Sequence, residues 1–442
     1  MRFYSTRDPN RIVDFREAIF SGLAPDGGLY HPDSEPNLAE TILRTPPDKP
    51  FAEIAAEIVH QLLPETFDAE AAREVCRRAF TFEPRLVNLT DQILLLELFH
   101  GPSCAFKDFG ASFLAASMEY LLAGEDHRAV ILTATSGDTG SAVARAFHRR
   151  PGIDVVILYP SGRVSPLQEQ QLTTVGDNVT ALEVNGSFDD CQRMVKQAFT
   201  DRELSDRTHL TSANSINLGR LLPQAFYYID AFIRIRPRIA SDVVFCVPSG
   251  NFGNLTAGVL AWRWGLPASG FIAATNVNDV VPEYLDSGIF RPRPSLKTVA
   301  NAMDVGDPSN FERMLQIFGA DYQDMRAMVG GEAVTDDEIL DTMRRYHASH
   351  GVFLDPHTAS GVCAAERYLD GEGAADASVI TLATAHPAKF GEIVERATGR
   401  RPELPDRLAE AMRRPKEATP IEPTIDALRA YLSEHYQAEG TA

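Results

Sequence analysis

The chain has few cysteines and no long apolar run. Its five cysteines form no C-x-x-C pair, and an odd number argues against a disulfide framework. No segment runs through 18 apolar residues without interruption, and the N-terminus MRFYSTRDPNRIVDF lacks the apolar core of a secretory signal. We therefore expect a soluble, cytoplasmic protein that is not exported.

Positive charge is also scarce. Lysine and arginine number 42 against 61 aspartates and glutamates, which gives a net charge of −19. This balance disfavours nucleic acid or an anionic membrane as a partner, although a local basic pocket for an anionic metabolite remains compatible with it. A small molecule is the expected partner.

Several common functional motifs are missing. No G-x-x-x-x-G-K-[ST] or G-x-G-x-x-G motif is present, which disfavours mononucleotide and dinucleotide binding. No G-x-S-x-G supports a serine hydrolase. His347, His350 and His357 lie close in sequence but without an H-E-x-x-H arrangement, and we predict no metal site.

The pattern of apolar residues changes along the chain. At 442 residues the chain is long enough for two or more domains. Helical periodicity marks residues 11–20, 51–63 and 69–80, and no strand alternation is evident before about residue 80. From about residue 90, short β-branched runs alternate with amphipathic helices, one of them spanning 217–236, which predicts an α/β fold with parallel sheets covered by helices. The proline- and charge-rich segment 400–423 predicts a surface excursion before a last helix near 425–435.

The stretch HGPSCAFKDFGASF places Lys107 between a strand-like run, 93–99, and a helix-like run from Phe109. A lysine is a poor nucleophile at neutral pH because its usual pKa is about 10.4. Burial disfavours the charged form, and Ala105, Phe106 and Phe109 offer such burial. The alternative is a lysine whose head extends to solvent from a helix start.

Four loops at strand-to-helix junctions carry polar residues. In PSGNFGN, 248–254, glycines let backbone N–H groups converge on a phosphate at a helix start, or form a plain tight turn. TSGDTGS, 135–141, suits a carboxylate, or only caps its helix. TSANSINLGR ends in Arg220, which could bind an oxyanion. Alternatively, the polar residues of this loop only cap the following helix. TLATAHPAKF places Thr384 at a strand end, as a ligand-facing or a capping threonine.

Together these segments resemble the threonine synthases, within the fold-type II pyridoxal-phosphate enzymes. The resemblance covers YSTR and GLAPDGGLYHP (4–7 and 22–32), HGPSCAFKDFG, TATSGDTG, LTSANSINLGRLLPQ, PSGNFGN and TAHPAKF, in the family's order. It spans nearly the whole chain except the C-terminal tail. The larger class usually has asparagine where this chain has Asp138, which matches the threonine synthase pattern.

The resemblance implies a set of functional residues. Lys107 would hold pyridoxal 5'-phosphate as a Schiff base and, once freed, would shuttle protons on the substrate. Thr384 would bond the pyridine nitrogen, where a neutral hydroxyl tempers the electron sink. The cofactor phosphate would be bound by Gly250, Asn251, Phe252, Gly253 and Asn254, the substrate carboxylate by Thr135, Ser136, Gly137, Asp138 and Thr139, and the substrate phosphate by Arg220, Asn214 and Ser165.

The resemblance also implies an architecture and a reaction. The expected fold is α/β of fold type II, with two parallel-sheet lobes, the cofactor in the cleft between them, and a mainly helical N-terminal domain. The expected boundaries are 1–85 for that domain, 86–400 for the cofactor-binding core with its smaller lobe at about 100–225, and 401–442 for a C-terminal extension with a final helix. We expect a monomer or homodimer.

The implied enzyme is a carbon–oxygen lyase acting on phosphate. It would convert O-phospho-L-homoserine and water to L-threonine and phosphate, the last step of threonine biosynthesis, by γ-elimination and β-hydration. The alternatives are a serine or threonine dehydratase or an amino-alcohol phospholyase on the same scaffold, and a non-catalytic phosphometabolite-binding protein.

Overall fold

The alternating apolar runs form strands and helices in a computed structural model that describes residues 1–125, 128–135, 137–238, 242–319, 321–371, 374 and 376–436. The strands are β1 (Phe3–Ser5), β2 (Ile12–Val13), β3 (Tyr30–Pro32), β4 (Arg85–Asn88), β5 (Ile93–Glu97), β6 (Ala129–Ala134), β7 (Ile153–Pro160), β8 (Val179–Val184), β9 (Leu210–Thr211), β10 (Val243–Pro248), β11 (Gly270–Thr275), β12 (Val329–Ala333), β13 (Ser378–Ala383) and β14 (Thr419–Ile421).

The helices separate most of these strands, and short 3₁₀ turns lie at Arg236–Arg238, Asn301–Met303 and Pro387–Phe390. The helices are α1 (Phe15–Ser21), α2 (Ala39–Arg44), α3 (Phe51–Leu62), α4 (Ala69–Ala79), α5 (Lys107–Leu122), α6 (Asp138–Phe147), α7 (Pro166–Thr173), α8 (Phe188–Thr200), α9 (Arg202–Thr208), α10 (Leu218–Leu221), α11 (Gln224–Ile235), α12 (Gly253–Arg263), α13 (Val280–Ser287), α14 (Phe311–Ile317), α15 (Tyr322–Met328), α16 (Asp336–His350), α17 (Pro356–Leu369), α18 (Gly391–Thr398), α19 (Asp406–Arg413) and α20 (Ile425–Tyr436).

The larger sheet has the order β12-β11-β10-β13-β5-β4 within the described residues. Its strands are parallel except β4, which runs antiparallel to β5 at the edge. At its centre Phe245 pairs with Phe271 on one side and with Ile380 on the other. All residues of β10 and β13 are buried, as expected of strands covered by helices on both faces.

The smaller sheet has the order β14-β8-β7-β6-β9, and its described pairs are all parallel. The two sheets form the two lobes that the family resemblance implies, which confirms the α/β class predicted from the sequence. Parallel strands place the loops that follow them at one edge of the sheet. The loops after β6 and β9 therefore share one edge of this sheet, and those after β5, β10 and β13 share one edge of the larger sheet.

The N-terminal region is mainly helical but also contains three short strands, although no strand alternation is evident there in the sequence. β1 pairs antiparallel with both β2 and β3. Strands of two or three residues are too short to show an alternating pattern in a sequence. The helix predicted over 11–20 begins later, at Phe15, because Asp14 caps it by accepting from the Glu17 N–H.

The helix predicted over 217–236 is two helices, α10 and α11. Pro223 lies between them and has no N–H to donate. The bonds at the junction join residues three apart, from the N–H of Ala225 to the oxygen of Leu222 and from Phe226 to Pro223. The sequence prediction therefore overlooked a proline break.

The C-terminal segment is more ordered than a surface excursion. It includes α19, which packs on α7, and β14, which adds to the edge of the smaller sheet beside β8. The final helix α20, predicted near 425–435, packs against α8 and α9. Its Leu428 and Leu432 are fully buried with the apolar residues of the smaller lobe.

Two further observations concern the chain as a whole. No helix among the described residues is both long and apolar enough to cross a membrane. The five cysteines are all buried and unpaired.

Candidate active site

A cavity of about 1890 Å³ opens where the loops of the two lobes meet. Several residues singled out from the sequence line it, namely Lys107, Thr135, Gly137, Asp138, Thr139, Asn214 and Asn251. Ser165, Arg220, Gly250, Phe252, Gly253, Asn254 and Thr384 are not among its lining residues. The seven lining residues come from four separate segments of the chain, which the fold brings to one cavity.

Lys107 is the first residue of α5 and is partly buried at the cavity wall. Its ammonium nitrogen lies 4.7 Å from the centre of the Phe106 ring. Burial lowers the pKa of Lys107, and the charges of Arg220 and Lys389 lower it further, while Asp138 and Asp108 oppose them. Such surroundings favour a neutral, nucleophilic amine.

The loop before Lys107 is tied to the loop that follows β13. The Phe106 N–H donates to the Thr384 oxygen at 2.8 Å, and the His386 N–H donates to the Cys104 oxygen at 3.0 Å. Between these bonds Ala105 and Ala385 form an antiparallel bridge. The structure thus places Thr384 beside the Lys107 loop, although the two segments lie far apart in the sequence.

A carboxylate holds the same loop from the other side. Asp108 is buried, and its Oδ2 accepts the Ser103 N–H at 2.9 Å. Burial raises the pKa of Asp108 to about 6, against the lowering effect of these bonds and of Lys389. The loop before Lys107 is therefore fixed at both ends.

The segment 249–254 joins the end of β10 to the start of α12. Two side-chain bonds hold the turn itself: Asn254 Nδ2 donates to the Pro248 oxygen at 2.9 Å, and Ser249 Oγ donates to Asn254 Oδ1 at 2.6 Å. Phe252 has a φ of 61°, in the left-handed region that non-glycine residues rarely adopt. Within the described chain no acceptor faces the backbone N–H groups of Gly250, Asn251, Phe252, Gly253 and Asn254.

Converging unpaired N–H groups at a helix start form an anion site. Gly250 is required there because a Cβ at this position would lie 2.6 Å from Met303 Cα. Asn251 ties the loop to its neighbours, since its Nδ2 donates to Ser215 Oγ at 2.7 Å and its Oδ1 accepts the Ser309 N–H at 2.6 Å. The donor set suits a phosphate.

The start of α6 is a second polar corner. Thr135 Oγ1 accepts the N–H groups of Gly137 and Gly140, both at 3.0 Å, so it caps the helix. The N–H groups of Asp138 and Thr139 have no acceptor among the residues that the structure describes. Ser136, also predicted here, lies outside the described residues.

Asp138 forms a buried ion pair that the sequence prediction missed. Its Oδ1 lies 3.0 Å from Lys389 Nζ, and Gln168 Nε2 donates to the same oxygen at 3.3 Å. Burial alone would raise the pKa of Asp138, yet Lys389 and Lys107 hold it well below its usual range. Lys389 lies within TAHPAKF, so the motif contained the residue but gave no sign of its partner.

The three residues predicted for the substrate phosphate are placed differently. Arg220 is buried in α10, where its Nη1 donates to the Ala213 oxygen at 2.7 Å and its Nε has no partner in the described chain. Burial lowers the pKa of Arg220 to about 10. Asn214 lines the cavity, and its Oδ1 accepts from Thr133 Oγ1 at 2.5 Å. Ser165 caps α7, and its Oγ accepts the Gln168 N–H at 3.3 Å.

Family models match almost the entire chain. The model described as pyridoxal-phosphate dependent enzyme matches residues 84–385, that of the threonine synthase N terminus matches 2–80, and that of the threonine synthase C-terminal region matches 358–432. The threonine synthase of Serratia marcescens is 41% identical over 433 residues, covering 98% of this chain and 99% of that protein. That of Escherichia coli (strain K12) is 41% identical and covers 98% and 100%.

Solved structures agree with this match. The PLP-bound threonine synthase of Brucella melitensis superposes with a TM-score of 0.92 at 36% identity, covering 99% of this chain and 100% of that one. The threonine synthase of Escherichia coli gives 0.89 at 41% identity, covering 98% and 100%. Maize serine racemase, at 18% identity and a TM-score of 0.55 over 73% of this chain and 94% of that one, shares the fold alone.

Proposed function

The chain belongs to the threonine synthase family of pyridoxal-phosphate-dependent enzymes, and we propose that it converts O-phospho-L-homoserine and water to L-threonine and phosphate through Lys107. The observation that carries the role of Lys107 is its setting at the cavity wall, where burial lowers its pKa. An amine of that kind is suited to attack an aldehyde.

The residues present fit the cofactor. Five backbone N–H groups without an acceptor, at the start of α12, match its phosphate, and Gly250 leaves the loop the space to lie against residue 303. The Lys107 amine would bond the aldehyde of the cofactor. Thr384, held beside the Lys107 loop, offers a neutral hydroxyl for the ring nitrogen. Bound pyridoxal phosphate supplies an electron sink that stabilises negative charge on the carbon atoms of an amino acid.

Lys107 would act as the base. In its neutral form it would take the proton from the α-carbon of the substrate and then help remove one from the β-carbon, so that phosphate leaves from the γ-carbon and water adds at the β-carbon. Burial, together with the charges of Arg220 and Lys389, keeps the amine from holding its proton permanently. A neutral amine and a lowered pKa together let the Lys107 side chain both accept and return protons.

The substrate carboxylate would bind at the start of α6. The N–H groups of Asp138 and Thr139 point from a helix N-terminus, where a negative charge is stabilised. The carboxylate of Asp138 does not repel a substrate strongly because Lys389 neutralises it. Thr135 and Gly137 contribute by shaping the turn, since the hydroxyl of Thr135 is already used as a helix cap.

The substrate phosphate would bind Arg220, Asn214 and Ser165. Support comes from Arg220, a buried guanidinium whose Nε lacks an acceptor and whose charge acts on Lys107. A cation buried without a bonded carboxylate is costly unless an anion joins it. Asn214 stands at the cavity wall, whereas the Ser165 hydroxyl must first give up its bond to Gln168 Oε1, to which it donates at 3.1 Å.

Product analysis tests the reaction. With O-phospho-L-homoserine as substrate, we expect threonine and phosphate in equal amounts, and no product from the Lys107→Ala variant. Ammonia together with a keto acid or an aldehyde would instead identify an eliminase of the same fold. A protein that binds the substrate without any turnover would contradict both readings.

We also propose that the enzyme works in the cytoplasm as a monomer or homodimer, without nucleic acid or membrane. The net charge of −19 supports the absence of polyanionic partners. Its mass in solution, measured by light scattering, tests the oligomeric state.

A further inference from the structure

A second buried lysine, Lys389, stands beside the site, where it pairs with Asp138. The side chain of Lys389, in the 3₁₀ turn after β13, is fully buried. Its ammonium lies 3.0 Å from Asp138 Oδ1 and donates to the Ser103 oxygen at 2.7 Å. Burying a lysine costs free energy unless it is paired and hydrogen-bonded, as it is here.

These bonds join three segments of the site. Asp138 begins α6 of the smaller lobe, Ser103 belongs to the loop before Lys107, and Lys389 follows a strand of the larger sheet. Two glutamines of α7 complete the network, since Gln168 donates to Asp138 at 3.3 Å and Gln171 to the Ser103 oxygen at 3.2 Å. Lys389 therefore fixes the position of Asp138 relative to the Lys107 loop.

The same pair acts on Lys107 by charge. Asp138 from α6 and Asp108 from α5 attract a proton to the Lys107 amine, whereas Arg220 from α10 and Lys389 repel it. His357, from α17, faces Asp138 and is itself bonded to Asp355 at 2.7 Å. Because Asp138 and Lys389 lie in contact, Lys389 opposes the effect of Asp138 on Lys107 as long as both charges are present.

We propose that Lys389 is a positioning residue for the cofactor lysine: it pins Asp138 at the start of α6 and cancels the charge of that carboxylate at the Lys107 amine. This inference rests on the proposed role of Lys107. Without Lys389, Asp138 would hold a proton on Lys107 and the amine would attack more slowly. Without the charge of Asp138, Lys389 would repel the proton on Lys107 and the amine would attack more readily.

The test is the pH dependence of covalent capture of pyridoxal 5'-phosphate by the full-length chain stripped of cofactor. Capture needs the neutral amine, so its rate rises with pH through the pKa of Lys107. The variants are Lys389→Met, Asp138→Asn and the double variant, with Lys416→Met as the control, since Lys416 pairs with Glu169 and Glu183 at the surface. Borohydride reduction and peptide mapping identify the captured residue in each case.

We expect Lys389→Met to shift the capture profile upward by about one pH unit and Asp138→Asn to shift it downward by about as much. The double variant should return close to the wild-type profile, and Lys416→Met should not move it. Shifts of both single variants in the same direction, no shift, or a double variant that stays displaced would overturn the inference.

Loss of folding is distinguishable from loss of this role. If Lys389→Met does not fold, the comparison of Asp138→Asn with the double variant still decides, because adding Lys389→Met must move the profile back upward. A profile that stays where Asp138→Asn put it contradicts the inference. If wild-type capture maps to a residue other than Lys107, the proposed function fails first, independently of the variants.

Discussion

Lys107 and Lys389 are both lysines of the site, and their partners separate their roles. Lys389 has two oxygen acceptors, on Asp138 and Ser103. Lys107 has an aromatic ring beside it and a pKa lowered by burial. Burial favours the neutral, nucleophilic amine of Lys107. The Lys389 ammonium is instead engaged by its two acceptors. Only Lys107 is suited to attack a carbonyl.

Arg220 provides a prediction at the same scale. Arg220→Met keeps the apolar stem of the side chain and removes the guanidinium, whose Nε has no partner in the described chain. Since a hydrogen bond to a charged group contributes about 1.5–3 kcal/mol, we expect the KM for the phosphorylated substrate to rise roughly tenfold or more. The absorbance of the bound cofactor should be the same in Arg220→Met as in the wild type.

The control is Arg163→Met. Arg163 is an exposed arginine that also lines the cavity. If this variant raises KM and Arg220→Met leaves it unchanged, the substrate phosphate binds at the outer wall and not at Arg220. Steady-state kinetics with both variants settles the choice.

His31 predicts a pH dependence of stability. It is buried in β3, and burial together with the charge of Arg313 lowers its pKa from 6.5 to about 3. The folded chain therefore keeps His31 neutral, while the unfolded chain binds a proton below pH 6.5. Its contribution to stability is complete above pH 6.5 and is lost as the pH falls toward 3.

The variant His31→Gln removes this titration. Between about pH 7.5 and about pH 5, we expect the wild-type free energy of unfolding to fall by about 2 kcal/mol more than that of the variant. His350→Gln, at an exposed position of α16, should follow the wild type. Denaturant unfolding at the two pH values checks this, and equal losses in wild type and His31→Gln would contradict it.

At this scale, the sequence predicts residues whose neighbours along the chain explain them. Lys107 stands out because apolar residues flank it in HGPSCAFKDFG. Lys389 does not stand out, because its ion-pair partner, Asp138, follows a strand of the other sheet. The pairing of distant residues depends on how the loops meet, and no local pattern carries that information.

The phosphate loop is the element whose geometry is most constrained. A Cβ on Gly250 would lie 2.6 Å from Met303 Cα, a backbone atom that cannot give way. A Cβ on Gly253 would lie 3.2 Å from the Asn310 side-chain amide, a milder contact that a small shift of that amide relieves. The two glycines of one loop therefore differ in their tolerance to alanine.

We expect Gly250→Ala to raise the dissociation constant of pyridoxal 5'-phosphate roughly tenfold or more, because the loop must move and its N–H groups no longer converge. Gly253→Ala keeps its N–H group and should change affinity by less than about threefold. Titration of the cofactor-free chain, followed by fluorescence, measures both. Equal affinities for the two variants would show that the loop does not hold the cofactor phosphate.

Elements were predicted well where they are long and poorly where they are short. Strands of five to eight mostly apolar residues, such as β7 and β10, are predicted by their composition. β1 and β2 have three and two residues, too few for any periodicity. The break between α10 and α11 was missed because apolar periodicity continues through Pro223, although proline cannot donate a backbone hydrogen bond.

The whole molecule is held together in part by its C-terminal segment. After α18 the chain leaves the larger lobe, adds β14 to the smaller sheet and ends in α20. Lys416 in this segment bonds Glu169 and Glu183 of the smaller lobe, at 2.6 and 2.8 Å. The segment thus completes the lobe that carries Asp138.

Leu432→Ala tests that dependence. Leu432 is fully buried against α8, so its truncation should cost about 2–5 kcal/mol of unfolding free energy. Leu404→Ala, at a leucine with 45% of its surface exposed, should cost less than about 0.5 kcal/mol. Denaturant unfolding of both variants checks this. A small effect of Leu432→Ala would mean that the smaller lobe is stable without α20.

The fold class followed from alternating strands and helices, since that alternation requires parallel sheets with helices on their faces. Sheet order did not follow, because β14 reaches β8 from the far end of the chain. The site was predicted as a set of loops, and the rule that loops after parallel strands share an edge explains why they converge. Their mutual contacts, such as that of Asn251 with Ser215, come only from the structure.

The central claim is the covalent attachment of the cofactor to Lys107. Borohydride reduction of the holoenzyme, proteolysis and mass spectrometry of the peptides test it most directly. We predict that the reduced cofactor is found on the peptide that contains Lys107, and that Lys107→Ala carries no label. A label on Lys389 or another lysine, or no label on the wild-type chain, would contradict it.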